Sequence, residues 1–156
     1  MNSKDKKILQ DYLGSQRLMA MATQGKHAWI TTVYYVSDDN LNLYFISPPK
    51  SEHSQHLKEN NEVACAIADS HQNAADPKVG LQLYGTASEE KGLHTIKWML
   101  KMYNKLYPAS KEKFNFKNFE SKMMSSRVYK VTPKKIKLFN QELFKDRDNK
   151  EEIYLL

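Results

Sequence analysis

Ser47, Lys50, Ser51 and His53 bring two hydroxyls, an ammonium and an imidazole into one short stretch, FISPPKSEHSQHL. That mixture suits an anion. The stretch reads as a strand ended by Pro48-Pro49 and followed by a helix, and the first N–H groups of a helix have no intrahelical acceptor and stand at the positive end of its dipole. The same residues also support a ligand-free reading, in which Ser51 caps the helix and Lys50 is simply solvated. His53 and His56, three apart, offer half of a metal site on one helix face. No second Cys, His or carboxylate pair has matching spacing, so the sequence predicts no metal. There is no Gly-x-Ser-x-Gly elbow, phosphate-binding Walker loop or Gly-x-Gly-x-x-Gly turn, which leaves hydrolase and NTPase chemistry without a motif.

The elements that position these groups follow from hydrophobic period. Leu41, Leu43 and Phe45 alternate with Asn42, Tyr44 and Ile46 as a strand; Val63 to Ala68, VACAIA, is a second short apolar strand. Ala28 to Val36, AWITTVYYV, rich in β-branched and aromatic residues, is the strongest strand signal. Arg17 to Thr23 is apolar on both faces, with Gln24-Gly25-Lys26-His27 as its turn and glycine there for a positive φ. Val79 to Ala87 alternates cleanly. Ser3 is read as the cap of a first helix closed by Gly14, and Ser88-Glu89-Glu90 as the start of the longest helix, ended by Pro108. Phe116, Phe119 and Met123 suggest a further short helix. Arg127 to Val131 and Ile136 to Phe139 read as strands broken at Pro133, with a last edge strand near Ile153 to Leu156.

The chain has 156 residues, a net charge of +6 and a single cysteine. That length predicts one domain with a real core. Cys65 is expected to be a buried, inert thiol, since no helix start or base is adjacent. No apolar leader and no membrane-length apolar run occurs, which points to the cytoplasm. Only Arg17, Arg127 and Arg147 are arginines; the basic charge is mostly lysine spread over many segments, a solvated surface and not a nucleic-acid interface.

The wording LYFIS…KSEHSQHLKENNEVA, followed by VGLQLYGTAS, resembles the FMN-binding split-barrel proteins related to pyridoxamine-phosphate oxidase. The likeness runs from about Arg17 to Ala87 with a weaker echo to Phe139, and is nearest to a short YhbP-like branch. It implies an α+β fold: an antiparallel split β-barrel of six or seven strands with flanking helices. Residues 1–156 would form one such domain, with an N-terminal helix over 3–13 and a helical segment over 89–124 before the last strands. It further implies an FMN-binding oxidoreductase acting on a small molecule, as a homodimer with the cofactor at the subunit interface. A non-enzymatic flavin- or haem-binding dimeric barrel is the alternative.

The family's phosphate-holding Thr or Ser, Ser, Arg and Lys fall on Ser47, Ser51, Glu52 and His53. Glu52 and His53 depart from that pattern, and a carboxylate repels phosphate, so the grip would pass to Lys50, His53 and backbone N–H groups. The resemblance also lays the flavin ring and ribityl chain along Thr31, Thr32, Val33 and Tyr34, with Gln82 as an amide beside the flavin. The Arg-rich C-terminal substrate motif of pyridoxamine-phosphate oxidase itself is missing, so that enzyme's own reaction is not expected.

Overall fold

Seven antiparallel strands in the order β3-β2-β1-β4-β5-β6-β7 make up the sheet, and an added pairing of β3 with β6 closes the first six into a barrel. The strands are β1 (Leu18–Gln24), β2 (Ala28–Ser37), β3 (Leu43–Ser47), β4 (Glu62–Ile67), β5 (Val79–Glu89), β6 (Arg127–Asn140) and β7 (Glu151–Leu155); the helices are α1 (Ser3–Ser15), α2 (Glu52–Glu59), α3 (Leu93–Leu106) and α4 (Phe116–Glu120). This computed structural model describes residues 1–156. It is an α+β split barrel, as the resemblance implies.

Strict alternation builds the interior. Met19, Met21, Val63, Cys65, Ile67, Leu81, Leu83, Ala87, Val131, Ile136 and Leu138 point inward, and Leu9 and Leu13 of α1 join the same core. Tyr35 is buried with them, and its hydroxyl donates to the Leu13 carbonyl at 2.8 Å, which ties α1 to β2. A second, smaller core lies outside the barrel, where Ile96, Met99, Leu100 and Tyr103 of α3 pack on Val36, Tyr44 and Val128. Trp98 meets the edge of Tyr44 there, with ring centroids 5.5 Å apart.

Several local readings change. Asn2, not Ser3, caps α1, accepting from the Asp5 N–H at 2.8 Å, and Gly14 lies inside the helix. No glycine has a positive φ; that backbone state falls on Leu41, Lys122 and Lys150. Ser88 and Glu89 continue β5, paired with Lys130 and Tyr129, because β6 offers them a ladder. α3 therefore starts only at Leu93. Met123 lies beyond α4 and is exposed. Pro133 does not break β6: it sits at a register shift opposite Gly85, where the ladder already lacks a bond to lose.

At that shift the two backbones come very close. A Cβ on Gly85 would stand 2.2 Å from the Thr132 carbonyl oxygen and 2.8 Å from Pro133 Cα. Backbone cannot move aside as a flexible side chain would. Gly85→Ala is expected to destabilise the protein by about 1–3 kcal/mol, measured by urea denaturation; an unchanged midpoint would mean that the β5–β6 seam yields to a methyl group.

Candidate functional site

Ser47 ends β3 with its side chain on the inner face, and the chain turns through Pro48-Pro49 into α2. At this corner Ser47 Oγ lies 2.6 Å from His53 Nε2 and 3.2 Å from Ser51 Oγ. Ser51 Oγ in turn donates to the Pro48 carbonyl at 2.8 Å and lies 2.8 Å from Ser54 Oγ and 3.1 Å from His53 Nε2. The structure thus brings Ser47, Ser51 and His53 into one cluster.

Ser51 occupies the N-cap position with extended backbone, but its side chain makes no cap bond. The expected hydroxyl cap is absent because the Pro48 carbonyl, Ser54 and the inward-turned His53 engage the oxygen instead. The first-turn amides of α2 receive no cap from the Ser51 side chain. His53 is buried. Desolvation, with a smaller contribution from nearby His56, holds its imidazole below the ordinary histidine value, so it is neutral at pH 7. It therefore supports the corner as a hydrogen-bonding group and not as a cation. Lys50 is exposed beside it.

The cross-strand neighbour of Ser47 is Arg127 at the start of β6. Its guanidinium donates to the Met124 and Ser126 carbonyls at 3.2 Å and lies 3.8 Å from Glu89. No local sequence signal joins residues 47 and 127; only the β3–β6 register does. His27 carries no sequence signal either: its Nε2 sits 2.8 Å from Glu52 Oε1, drawing that carboxylate toward the β1–β2 turn.

The other candidates lie along the sheet. Register pairs Met19 with Val33, Met21 with Thr31, and Ala20 with Thr32. Thr31 and Val33 therefore share the inner side with the methionines, whereas Thr32 and Tyr34 face out. Gln82 lies opposite Ala66 on the outer side of β5. Here small side chains leave an open groove of about 460 Å³ lined by Ala20, Ala22, Ile30, Ala64, Ala66 and Gln82, with Lys135 and Lys137 along its margin. Thr32, Tyr34 and Gln82 thus belong to the outer surface, and the Ser47 corner to the end of the barrel.

A family model for pyridoxamine 5'-phosphate oxidase matches residues 6–140. No curated protein matches the chain. Among solved structures, a heme binding protein from Mycobacterium smegmatis is similar with a TM-score of 0.74 and 13% identity, over 99% of this chain and 59% of that one. General Stress Protein 26 from Bacillus anthracis gives 0.66 and 14%, over 97% and 98% of the two chains. A general stress protein 26-related protein of the pyridoxinephosphate oxidase family, from Clostridium acetobutylicum, gives 0.65 and 13%, over 100% and 97%. These three likenesses are of fold.

Cys65 borders the groove from within the barrel wall. It is 4% exposed, and burial pushes its thiol up to about 12. The thiolate is then scarce at pH 8 and the sulfur is shielded besides. A disulfide reagent at pH 8 should leave the folded protein unmodified and label it fully in denaturant; rapid labelling of the native chain would show that the wall opens.

Proposed function

We infer the function from one premise: the chain belongs to the pyridoxamine 5'-phosphate oxidase family. It is read as an FMN-dependent oxidoreductase of the cytoplasm that acts on a small molecule. The observation that carries this reading is the corner at the start of α2, where exposed Lys50 and the Ser51 hydroxyl directly precede a first turn that no side chain caps. Such a set fits a phosphate monoester. FMN would supply the electron-transfer chemistry, and the chain's residues hold and orient it.

In this reading the α2 amides and Lys50 hold the phosphate, the Ser51 hydroxyl turns from the Pro48 carbonyl to join them, and Ser47 and His53 lie 3.2 and 3.1 Å from that hydroxyl. Thr32, Tyr34 and Gln82 line the outer face on which a ring and ribityl chain lie, while Thr31 and Val33 contribute backbone. Glu52 opposes an anion, and its contact with His27 draws it aside. The same outer face carries exposed Leu18, Ile30, Tyr34 and Tyr84 around the alanines. A contiguous apolar patch of this kind suits a second copy of the chain, so the cofactor would lie at a homodimer interface.

The heme-binding neighbour of the same fold motivates a second reading, a non-enzymatic dimeric barrel holding haem or flavin in the same groove. The absorption spectrum of the purified protein separates the two: flavin bands support the first, a Soret band the second.

Titration should find FMN bound more tightly than riboflavin, which shares the ring but lacks the phosphate. Lys50→Ala should weaken FMN alone, and Glu52→Arg should tighten it by about 1–3 kcal/mol through a charge-assisted contact. Equal affinity for both flavins would reject the phosphate corner. In light scattering the protein should run as a dimer, and Ile30→Glu, on an exposed side chain, should shift it to monomer; a monomeric parent protein would refute the interface.

A further inference from the structure

At the end of the barrel where α2 packs, a turn and a helix bring together three side chains, of which the flavin reading uses only Glu52, and that one only as a charge opposing the phosphate. His27 belongs to the β1–β2 turn; Glu52 and His56 lie on α2, four residues apart and so on one helix face. Their donor atoms all fall within 4.8 Å of one another. His27 Nε2 is 2.8 Å from Glu52 Oε1, and the His27 and His56 rings stand at 86° with centroids 5.7 Å apart. We propose that His27, Glu52 and His56 form a binding site for a divalent transition ion of the zinc class.

His56 is prepared for this. The ring is 8% exposed, and its Nδ1 lies 3.1 Å from the hydroxyl of Thr23, which is itself 3% exposed. A hydroxyl holding one nitrogen fixes the ring's orientation and leaves Nε2 as the ligating atom. The β1–β2 turn gives way to the ring where it passes: a Cβ on Gly25 would stand 2.4 Å from His56 Cδ2 and 2.7 Å from Nε2. Two imidazoles and a carboxylate match the donor set of zinc sites that keep a fourth position open, and the absence of a thiolate disfavours softer ions. Bonds of about 2.0–2.2 Å would draw the donors to roughly 3.3 Å apart. The His27 and Glu52 side chains, 60% and 39% exposed, have the freedom to close that distance. A simple surface pair between His27 and Glu52 would be worth little, and it does not account for an oriented, nearly buried His56 beside it.

The test uses tag-free, flavin-free full-length protein and zinc itself, so its outcome is separate from that of the flavin reading. Calorimetric titration should find a single zinc ion per chain, and cobalt in its place should give visible ligand-field bands. His27→Ala and Glu52→Gln, both changes of exposed side chains, should each weaken zinc by about tenfold or more, and Thr23→Val by about tenfold through lost orientation of His56. Zinc should raise the thermal midpoint of the parent protein, and at the same concentration raise that of His27→Ala by less. His94→Ala, remote from the cluster, should bind zinc as the parent does. No zinc binding, or binding that survives both His27→Ala and Glu52→Gln, overturns the proposal.

Discussion

The pairing of β3 with β6 is the constraint on which the rest of this structure depends. β3 has five residues, and all of them, from Leu43↔Val131 to Ser47↔Arg127, find partners on β6. Phe45 and Tyr129 stack across it, with ring centroids 5.2 Å apart. This ladder turns an open sheet into a barrel. Because side chains alternate faces, a slip of one residue would drive Phe45 and Ser47 out of the interior and carry the start of α2 with them. The position of the Ser47 corner is thus a consequence of barrel closure.

What the sequence reveals most clearly is what is periodic. The two faces of β5 can be read from alternation and α3 from its helical stripe, since each property is local, whereas β1 and β4 are apolar on both faces and show only that they are strands. What it hides are close approaches between distant segments. Gly25 looks like a turn residue needing a positive φ, but it is there because the His56 ring passes against it. Pro133 looks like a strand breaker, yet a register shift against β5 absorbs it. His53 and His56 look like a pair by spacing, whereas one bonds Ser47 at the barrel end and the other bonds Thr23. His27 and Arg127 carry no motif at all; only tertiary pairing brings them to α2 and to Ser47.

The short helix α2 joins these features. Its inner side gives Leu57 and the buried imidazoles to the barrel end, and its first turn leaves amides uncapped. Those two properties are linked: His53, turned inward, helps to hold the Ser51 hydroxyl that would otherwise cap the helix. The candidate residues on β2 divide for a similar geometric reason. Four consecutive strand residues cannot all face one ligand, so Thr32 and Tyr34 contribute side chains to the outer surface while Thr31 and Val33 contribute only backbone there.

Barrel closure also sets an order of events for the growing chain. β3 and β5 both wait for β6, which follows β3 by some eighty residues of sequence. Until residues 127–140 have been made, each of these strands presents one unpaired edge, and the interior methionines and leucines lie in an unclosed sheet. Joining segments so far apart carries the loop-closure entropy that slows β-barrel folding relative to locally connected folds. The late strand is therefore the step at which productive folding competes with edge-to-edge association.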